Sequence, residues 1–242
     1  MILAGRSRAL EIMDGSDFTP AELGRNLLDL ELYNRITGGT ALIVSSLGSI
    51  TGGLEAGRPV SILEIGAGSA DIACDVAAWA SRRGWRPRLV ATDLNPLMLA
   101  LASRLHRSNG FVKLCLADAR ALPHGDGAFD LAYSSLVVHH LAEAGIEKVL
   151  MEMRRVTRIG FVVADLRRSA LAYAAVWALT RLTTRNRLTL NDGPLSVRRA
   201  LTPGEMRAAA VKALDGGLLD VRRDGPARMV LTYRHPPEGS SA

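Results

Sequence analysis

Residues 60–71 constrain the fold of this chain more than any other stretch. The run from Val60 to Ile65 is apolar and rich in β-branched residues, which is typical of a strand buried on both faces of a parallel sheet. Gly66-Ala67-Gly68 follows, and a helical pattern begins near Asp71. Glycines allow a sharp turn and a close approach of a ligand to the backbone, and a helix start offers free N–H groups. Gly-x-Gly also occurs in plain tight turns, but together these features predict a cradle for the polar part of a ligand.

Glu64 narrows the kind of ligand. A carboxylate at the end of a buried strand is costly unless it has a partner, and it would repel a phosphate. A cationic ligand would supply the partner. NAD is the natural competitor, but Asp71 stands where the third glycine of a dinucleotide-binding turn would be, and an acid there suits pyrophosphate poorly.

The rest of the chain alternates strand and helix patterns. This alternation predicts a parallel sheet with helices on both faces. The expected strands are residues 60–65, 88–92, 111–116, 129–134 and 160–165, and the expected helices between them are 70–83, 96–107 and 143–157. A last helix is expected to begin at Thr202 and to end at Gly216-Gly217, and the strand patterns 218–223 and 228–234 would then form a terminal hairpin.

Two further regions flank or interrupt this domain, which we place at residues 58–242. Residues 1–57 are expected to form a helical appendage, with one helix starting after Asp17 or Thr19 and ending at Gly38-Gly39 and a second apolar segment over 41–50. Residues 166–200 are expected to form an insertion, in which a helix over 170–183 precedes a turn at 191–194.

Acidic residues follow the strands at the places where a parallel sheet binds ligands. Asp93 ends the second strand, and its separation from the glycine turn suits a ribose-binding acid, although it could instead cap the next helix. Asp118 follows the third strand and could accept a hydrogen bond from an adenine amino group, with the N–H of Ala119 facing the ring; a surface loop acid is the alternative.

The order of these motifs resembles that of class I S-adenosylmethionine-dependent methyltransferases. Glu64-x-Gly-x-Gly, Asp93, Asp118-Ala119 and Phe129-Asp130-Leu131 match the family's successive motifs over about residues 58–165. The resemblance implies an α/β, Rossmann-like sheet of seven strands in the order 3-2-1-4-5-7-6 with the last strand antiparallel. It implies S-adenosylmethionine as cofactor, with the backbone of Gly66, Ala67 and Gly68 along the methionine part. Cofactor residues implied in addition are Glu64, Asp93, Leu94, Asp118, Ala119 and Ser134.

The resemblance also implies that the N-terminal helices and the insertion build a substrate lid. Residues 29–35 and 192–198 are similar to bacterial small-molecule methyltransferases that act on polyketide and quinone-like phenolic substrates, as in secondary metabolism. We therefore expect a small, largely apolar acceptor that is methylated on oxygen, with methylation on carbon or nitrogen left open. Candidate substrate residues are Tyr33, Arg35, Arg167 and Arg198, although solvated arginines are equally consistent with the pattern.

His139 and His140 follow the fourth strand, beside the expected methyl group, and histidine is suited to act as the base for an oxygen nucleophile. If a helix begins there, the two side chains should point in different directions, so only one can be the base, and we favour His140. Histidines that only pack or cap are the alternative. No metal site is evident, because the strand-end acids are assigned to the cofactor, but a magnesium site of the catechol type is left open.

Composition bounds the remaining functions. The net charge is +6, but the arginines are dispersed and aromatic residues make up only 5% of the chain, which disfavours a nucleic-acid groove. The two cysteines fit neither a disulfide framework nor a zinc cluster. The apolar run 171–182 is too short to cross a bilayer, so we expect a cytoplasmic protein without stable membrane insertion. An apolar lid could also be a homodimer surface. An NAD(P)-dependent oxidoreductase and a non-catalytic cofactor-binding protein remain alternatives.

Overall fold

The structure is a computed structural model, and it describes residues 3–105 and 111–236. The chain forms one seven-stranded sheet covered by helices. The strands are β1 (Pro59–Ile65), β2 (Arg86–Asp93), β3 (Val112–Leu116), β4 (Phe129–Ser135), β5 (Thr157–Leu166), β6 (Leu218–Asp224) and β7 (Arg228–Arg234). The helices are α1 (Pro20–Ile36), α2 (Gly39–Ile50), α3 (Asp71–Arg82), α4 (Pro96–Leu105), α5 (Glu143–Val156), α6 (Ala170–Thr183), α7 (Arg187–Arg199) and α8 (Pro203–Ala213). Short 3-10 helices span Ile12–Asp14 and Val138–His140.

The strand order is β3-β2-β1-β4-β5-β7-β6, which confirms the predicted sheet. The first five strands are parallel, and β7 runs antiparallel to both β5 and β6. The chain places β2 and β3 on one side of β1 and then β4 and β5 on the other side, so the strand order reverses beside β1. In a sheet of this kind the ligand crevice lies beyond the carboxyl ends of the strands at that point.

Apolar layers cover both faces of the sheet. The helices α2 and α3 pack on one face, through residues such as Ile43, Leu47 and Val76, and α5 and α8 pack on the other. A third, smaller cluster joins α1, α4 and α7 through Leu23, Leu27, Met98 and Leu188. This third cluster holds α1 in place, and α1 contributes residues to the cavity described below.

The N-terminal helix begins as its sequence predicts. Thr19 and Glu22 form a reciprocal capping box, in which each side chain accepts a hydrogen bond from the other residue's backbone N–H, and Pro20 occupies the first helical position. Gly38, at φ +73°, then separates α1 from α2. None of the helices in residues 3–105 and 111–236 combines the length and the apolar character needed to cross a bilayer.

The turn expected at residues 191–194 is wrong, because α7 runs through it without a break. Gly193 faces α6, where a Cβ atom would come within 2.9 Å of the Thr180 methyl group, so the absent side chain permits close helix packing. Asp192 is buried and accepts hydrogen bonds from the backbone N–H groups of Ile12 and Met13, at 2.8 and 3.1 Å. Residues that favour turns in isolation thus serve tertiary packing here.

Smaller differences concern where elements end. Thr157 belongs to β5 and not to the preceding helix, and α8 ends at Ala213, after which Gly216 and Gly217 form the turn into β6 with positive φ angles. The helix expected to reach residue 107 is α4, which ends at Leu105; residues 106 and 107 lie outside the described residues.

Candidate active site

The glycine turn after β1 is held against β2. The backbone N–H groups of Gly66 and Ala67 both donate to the carbonyl oxygen of Thr92, at 2.8 and 2.9 Å. Gly66 has φ +75°, and a Cβ atom there would come within 2.1 Å of Val137 Cγ2. A side chain at this position is therefore excluded by both backbone conformation and space. The turn ends at Ala70, also left-handed at φ +62°, and α3 begins at the next residue.

A cavity of about 590 Å³ opens at the carboxyl ends of the parallel strands, beside this turn. It contains both apolar and acidic walls. The predicted cofactor residues that line it are Glu64, Gly66, Ala67, Gly68, Asp93, Leu94, Asp118 and Ala119, and of the predicted catalytic pair only His140 does so. The helix α1 contributes Leu27, Leu30 and Asn34, and the segment before α1 contributes Met13 and Asp14.

Glu64 is the most unusual wall residue, because it is a carboxylate with only 2% of its surface exposed. Its Oε2 atom has no hydrogen-bond partner among the described residues. Burial, reinforced by the negative charge of Asp71, raises the pKa of Glu64 well above its usual 4.5. A buried acceptor at the wall of a cavity is stabilised by a ligand that brings a cation or an N–H donor.

Asp93 lies on the other side of the glycine turn. Its Oδ2 accepts from the backbone N–H of Gly68 at 3.0 Å and its Oδ1 from that of Asn95 at 2.9 Å. Burial raises the pKa of Asp93 in spite of these hydrogen bonds. The cap of α4 is supplied by Asn95, whose side chain accepts from the N–H of Leu97 at 2.9 Å. Each carboxylate oxygen of Asp93 retains a lone pair for a hydroxyl group in the cavity.

Asp118 also lines the cavity, but it already has a partner. Arg120 binds both of its oxygens, at 2.7–3.2 Å, and this contact lowers the pKa of Asp118 below its usual value. A carboxylate offers about four acceptor sites, so a ligand amino group would share Asp118 with Arg120.

The two histidines lie on the 3-10 helix after β4, and the expectation that they diverge is wrong. Their ring centroids are 4.2 Å apart. Asp165, at the end of β5, contacts Nδ1 of the buried His139 at 2.6 Å, and Asp14 contacts Nδ1 of His140 at 2.7 Å. Because a carboxylate fixes each ring at Nδ1, both Nε2 atoms are brought towards Glu11.

Several predicted residues lie outside the cavity wall. The hydroxyl of Tyr33 contacts that of Thr183 at 2.7 Å and so joins α1 to α6. Arg35 is exposed, and Arg167 and Arg198 are partly buried, with none of the three among the lining residues.

Ser134 is fully buried and faces away from the cavity, which Ser135 lines instead. The Ser135 hydroxyl has no hydrogen-bond partner within the described ranges.

The sequence analysis also did not predict Asn34 as a cavity residue. Its side chain contacts Asp71 at 3.4 Å and Arg228 at 3.3 Å. A buried asparagine in the apolar stripe of α1 was the available signal for that residue. No comparable local signal marked Met13 or Asp14.

Comparison with known proteins agrees with this architecture. Residues 63–164 match the methyltransferase domain family. A demethylmenaquinone methyltransferase of Thermus thermophilus is 35% identical over 103 residues, which are 42% of this chain and 44% of that protein. A malonyl-[acyl-carrier protein] O-methyltransferase of Pseudescherichia vulneris is 34% identical over 110 residues, 44% of this chain and 38% of that protein. The chain thus spans less than half the length of these curated relatives.

Solved structures share the fold at low identity. An Aquifex aeolicus S-adenosylmethionine-dependent methyltransferase superposes with a TM-score of 0.60 and 16% identity, over 91% of this chain and all of that one. Human N-acetylserotonin methyltransferase in complex with S-adenosylmethionine superposes with a TM-score of 0.62 and 15% identity, over 90% of this chain and 56% of that one.

The sheet order, the glycine turn at the end of β1 and the family match lead to one conclusion. The chain contains a class I S-adenosylmethionine-dependent methyltransferase domain. S-adenosylmethionine is the cofactor of this class of domain.

Proposed function

We propose that this protein transfers a methyl group from S-adenosylmethionine to a hydroxyl of a small, largely apolar acceptor. The observation that carries the proposal is the pair of buried acids on either side of the glycine turn. Glu64 presents an unpartnered oxygen at the cavity wall, and Asp93 presents a carboxylate fixed by two backbone N–H groups. A cationic amino acid portion and a ribose are the ligand groups that such a pair would hold.

The cofactor would lie along the carboxyl edge of the sheet. Its ammonium group would pair with Glu64, and the backbone of residues 66–68 would follow the methionine part. Asp93 would accept from the ribose hydroxyls, and Asp118 with Ala119 would meet the adenine. This assignment explains why a buried carboxylate persists at Glu64, because the cofactor's positive charge offsets the cost of desolvating it.

The acceptor class is inferred from the rest of the wall. Apolar residues make up much of the cavity wall beyond the acids, with Met13, Leu27, Leu30 and Leu141 among them. Residues 1–57 and the insertion 166–200 would cover the acceptor. The named relatives act on a demethylmenaquinone and a malonyl-[acyl-carrier protein], and the quinone fits an apolar wall better. We therefore favour a phenolic or quinone-like acceptor. The proposed acceptor class does not depend on Tyr33 or on the arginines at positions 35, 167 and 198.

Methyl transfer is an in-line displacement. The acceptor oxygen forms a bond to the methyl carbon, the carbon–sulfur bond breaks, and the hydroxyl proton must leave. Because Asp14 holds Nδ1 of His140, the Nε2 atom of His140 is left to take that proton. The ring of His139 packs against the ring of His140. Positioning of the acceptor supplies much of the remaining rate.

The test is a methyl-transfer assay with a panel of phenols and reduced quinones, read by product mass and by formation of S-adenosylhomocysteine. We expect methylated product from wild type, at an atom that fragmentation identifies as oxygen. His140→Asn should lower kcat by roughly 10²–10⁴-fold with unchanged affinity for S-adenosylhomocysteine. His235→Asn is the matched control, because His235 contacts Thr157 at the start of β5, the end opposite the cavity. Methylation only at carbon or nitrogen, or an unchanged kcat in His140→Asn, contradicts the proposal.

A further inference from the structure

A second cluster of titratable side chains lies where the N-terminal segment, residues 3–18, crosses the histidine pair. Glu11 is buried there, and its side chain is 1% exposed. Its Oε1 is 3.7 Å from Nε2 of His139, and its Oε2 is 3.9 Å from Nε2 of His140. All three residues offer ligand atoms within 4.8 Å of one another. The Oε1 atom has no hydrogen-bond partner in the part of the chain that the structure describes.

The histidines are oriented as metal-binding histidines are. Asp165 engages Nδ1 of His139 at 2.6 Å, and Asp14 engages Nδ1 of His140 at 2.7 Å. In metal sites a carboxylate or carbonyl commonly accepts from the ring nitrogen that does not bind the ion, which fixes the tautomer and the ring plane. Here that arrangement leaves the lone pairs of both Nε2 atoms on the side of Glu11.

The side chains around the cluster carry a net negative charge, which a bound cation would offset. Among the described residues, three carboxylates, those of Glu11, Asp14 and Asp165, lie around the cluster with two guanidiniums, those of Arg199 and Arg6. Arg199 binds Asp14 and lies 3.8 Å from Glu11. With ionised carboxylates and neutral imidazoles the excess is one negative charge. Arg6 is the other guanidinium in contact with this region, and it donates to the carbonyl oxygens of His139 and Leu141.

We propose that Glu11, His139 and His140 bind a divalent transition-metal ion of the zinc type. Two imidazoles and one carboxylate are a known zinc donor set, which leaves a fourth position open. Ligand atoms at about 2.1 Å from a tetrahedral ion lie about 3.4 Å apart, so the three ligand atoms, which lie within 4.8 Å of one another, would draw together by up to about 1.4 Å to close the site. Imidazole donors select zinc, iron or nickel over magnesium.

This inference rests on its own residues and not on the proposed cofactor site, but it bears on the proposed reaction. A nitrogen that ligates an ion cannot also take a proton, so His140 acts as the base only in the metal-free protein. In the loaded protein the ion itself would lower the pKa of an acceptor hydroxyl bound at the open position. The ion would also tie the N-terminal segment to the end of β4.

Metal binding can be measured without any acceptor. The full chain is stripped with a chelator, and binding of zinc is followed by equilibrium dialysis with elemental analysis and binding of cobalt by its visible absorption. We expect one ion per chain and a cobalt spectrum typical of four- or five-coordination. Glu11→Gln should remove this binding. Asp165→Asn, which changes the partner of His139 Nδ1 but keeps all three proposed ligands, should weaken it by about 10–100-fold.

The controls separate this site from surface binding and from misfolding. Glu55→Gln, at an exposed acid, and His235→Asn should bind zinc as wild type does. Circular dichroism and titration with S-adenosylhomocysteine report whether each variant is folded with an intact cofactor site. A wild type that binds S-adenosylhomocysteine but no zinc overturns the metal site alone. Zinc binding that Glu11→Gln leaves unchanged overturns it as well.

Discussion

Replacing Gly66 with alanine should destabilise the protein more than the same change at any open glycine. The left-handed backbone at φ +75° costs an alanine about 1–2 kcal/mol. The new Cβ would also come within 2.1 Å of Val137 Cγ2, and overpacking of this kind costs about 1–3 kcal/mol more. The free energy of unfolding should therefore fall by about 2–5 kcal/mol, as measured by urea denaturation followed by circular dichroism.

Gly53 supplies the matched control, because it has φ +88° and nothing within 4 Å of its added Cβ. Gly53→Ala should show only the backbone cost, about 1–2 kcal/mol. Val137→Ala removes the methyl group that the new Cβ at position 66 would meet, so in a double-mutant cycle it should recover about 1–3 kcal/mol of the Gly66→Ala loss. Equal losses in Gly66→Ala and Gly53→Ala, or no coupling to Val137, would refute the close approach of the glycine turn to Val137, two residues beyond β4.

Three further predictions concern single carboxylates. Glu64→Gln should weaken S-adenosylhomocysteine binding. Because the pKa of Glu64 is raised in wild type, binding should release a proton and should tighten as pH rises above 4.5. Titration in buffers of different ionisation enthalpy detects this proton release, which the variant should lack. Asp130→Asn should cost about 1.5–3 kcal/mol at neutral pH, because its carboxylate accepts from Ser61 N–H and Oγ at 2.8 and 2.9 Å. These contacts outweigh burial and lower its pKa, so its stabilising effect is present above 3.8 and lost as pH falls further, and urea unfolding of Asp130→Asn should depend less on pH there. Asp192→Ala should expose the N-terminal segment to limited proteolysis, since the N–H of Ile12 loses its acceptor, whereas Asp192→Asn, which keeps one oxygen, should be cut more slowly.

The features that sequence predicts correctly are those with short-range causes. The alternation of strand and helix patterns predicted the parallel sheet, and the family resemblance implied its strand order. Glu64, Asp93 and Asp118 could be placed at the carboxyl edge of the sheet, where they line the cavity, because acids at strand ends are visible in sequence. The start of α1 was equally visible, because the cap at Thr19 and the proline after it are adjacent in the chain.

Other features depend on packing or on strand faces that sequence does not reveal. Every residue of β4 is buried, so no alternation of polar and apolar residues marks its two faces. In the structure Tyr133 pairs with Glu64, and Ser135 lies on that same face of the strand, which leaves Ser134 on the opposite one. The sequence therefore indicated the correct strand end but the wrong serine.

The site formed by Glu11 and the histidines has a long-range cause. Glu11 reaches His139 only because the N-terminal segment is held by α7, through Asp192 and through the hydrogen bond from Ser7 N–H to the carbonyl oxygen of Arg198. Neither contact has a signature in the local sequence, since Asp192 stands in a stretch that favours a turn. Long-range pairing of this kind becomes visible only when the fold is known.

The central claim is that the cavity beside the glycine turn binds the cofactor, and calorimetric titration with S-adenosylhomocysteine tests it most directly. Wild type should bind one molecule per chain. Asp93→Ala should lose about 1.5–3 kcal/mol of binding free energy, or roughly 10–150-fold in Kd, because a charged hydrogen-bond acceptor is removed. Asp126→Ala, at an acid with 84% of its side chain exposed, should bind as wild type does. Absence of binding to folded wild-type protein would contradict the account, and so would an Asp93→Ala variant with unchanged affinity.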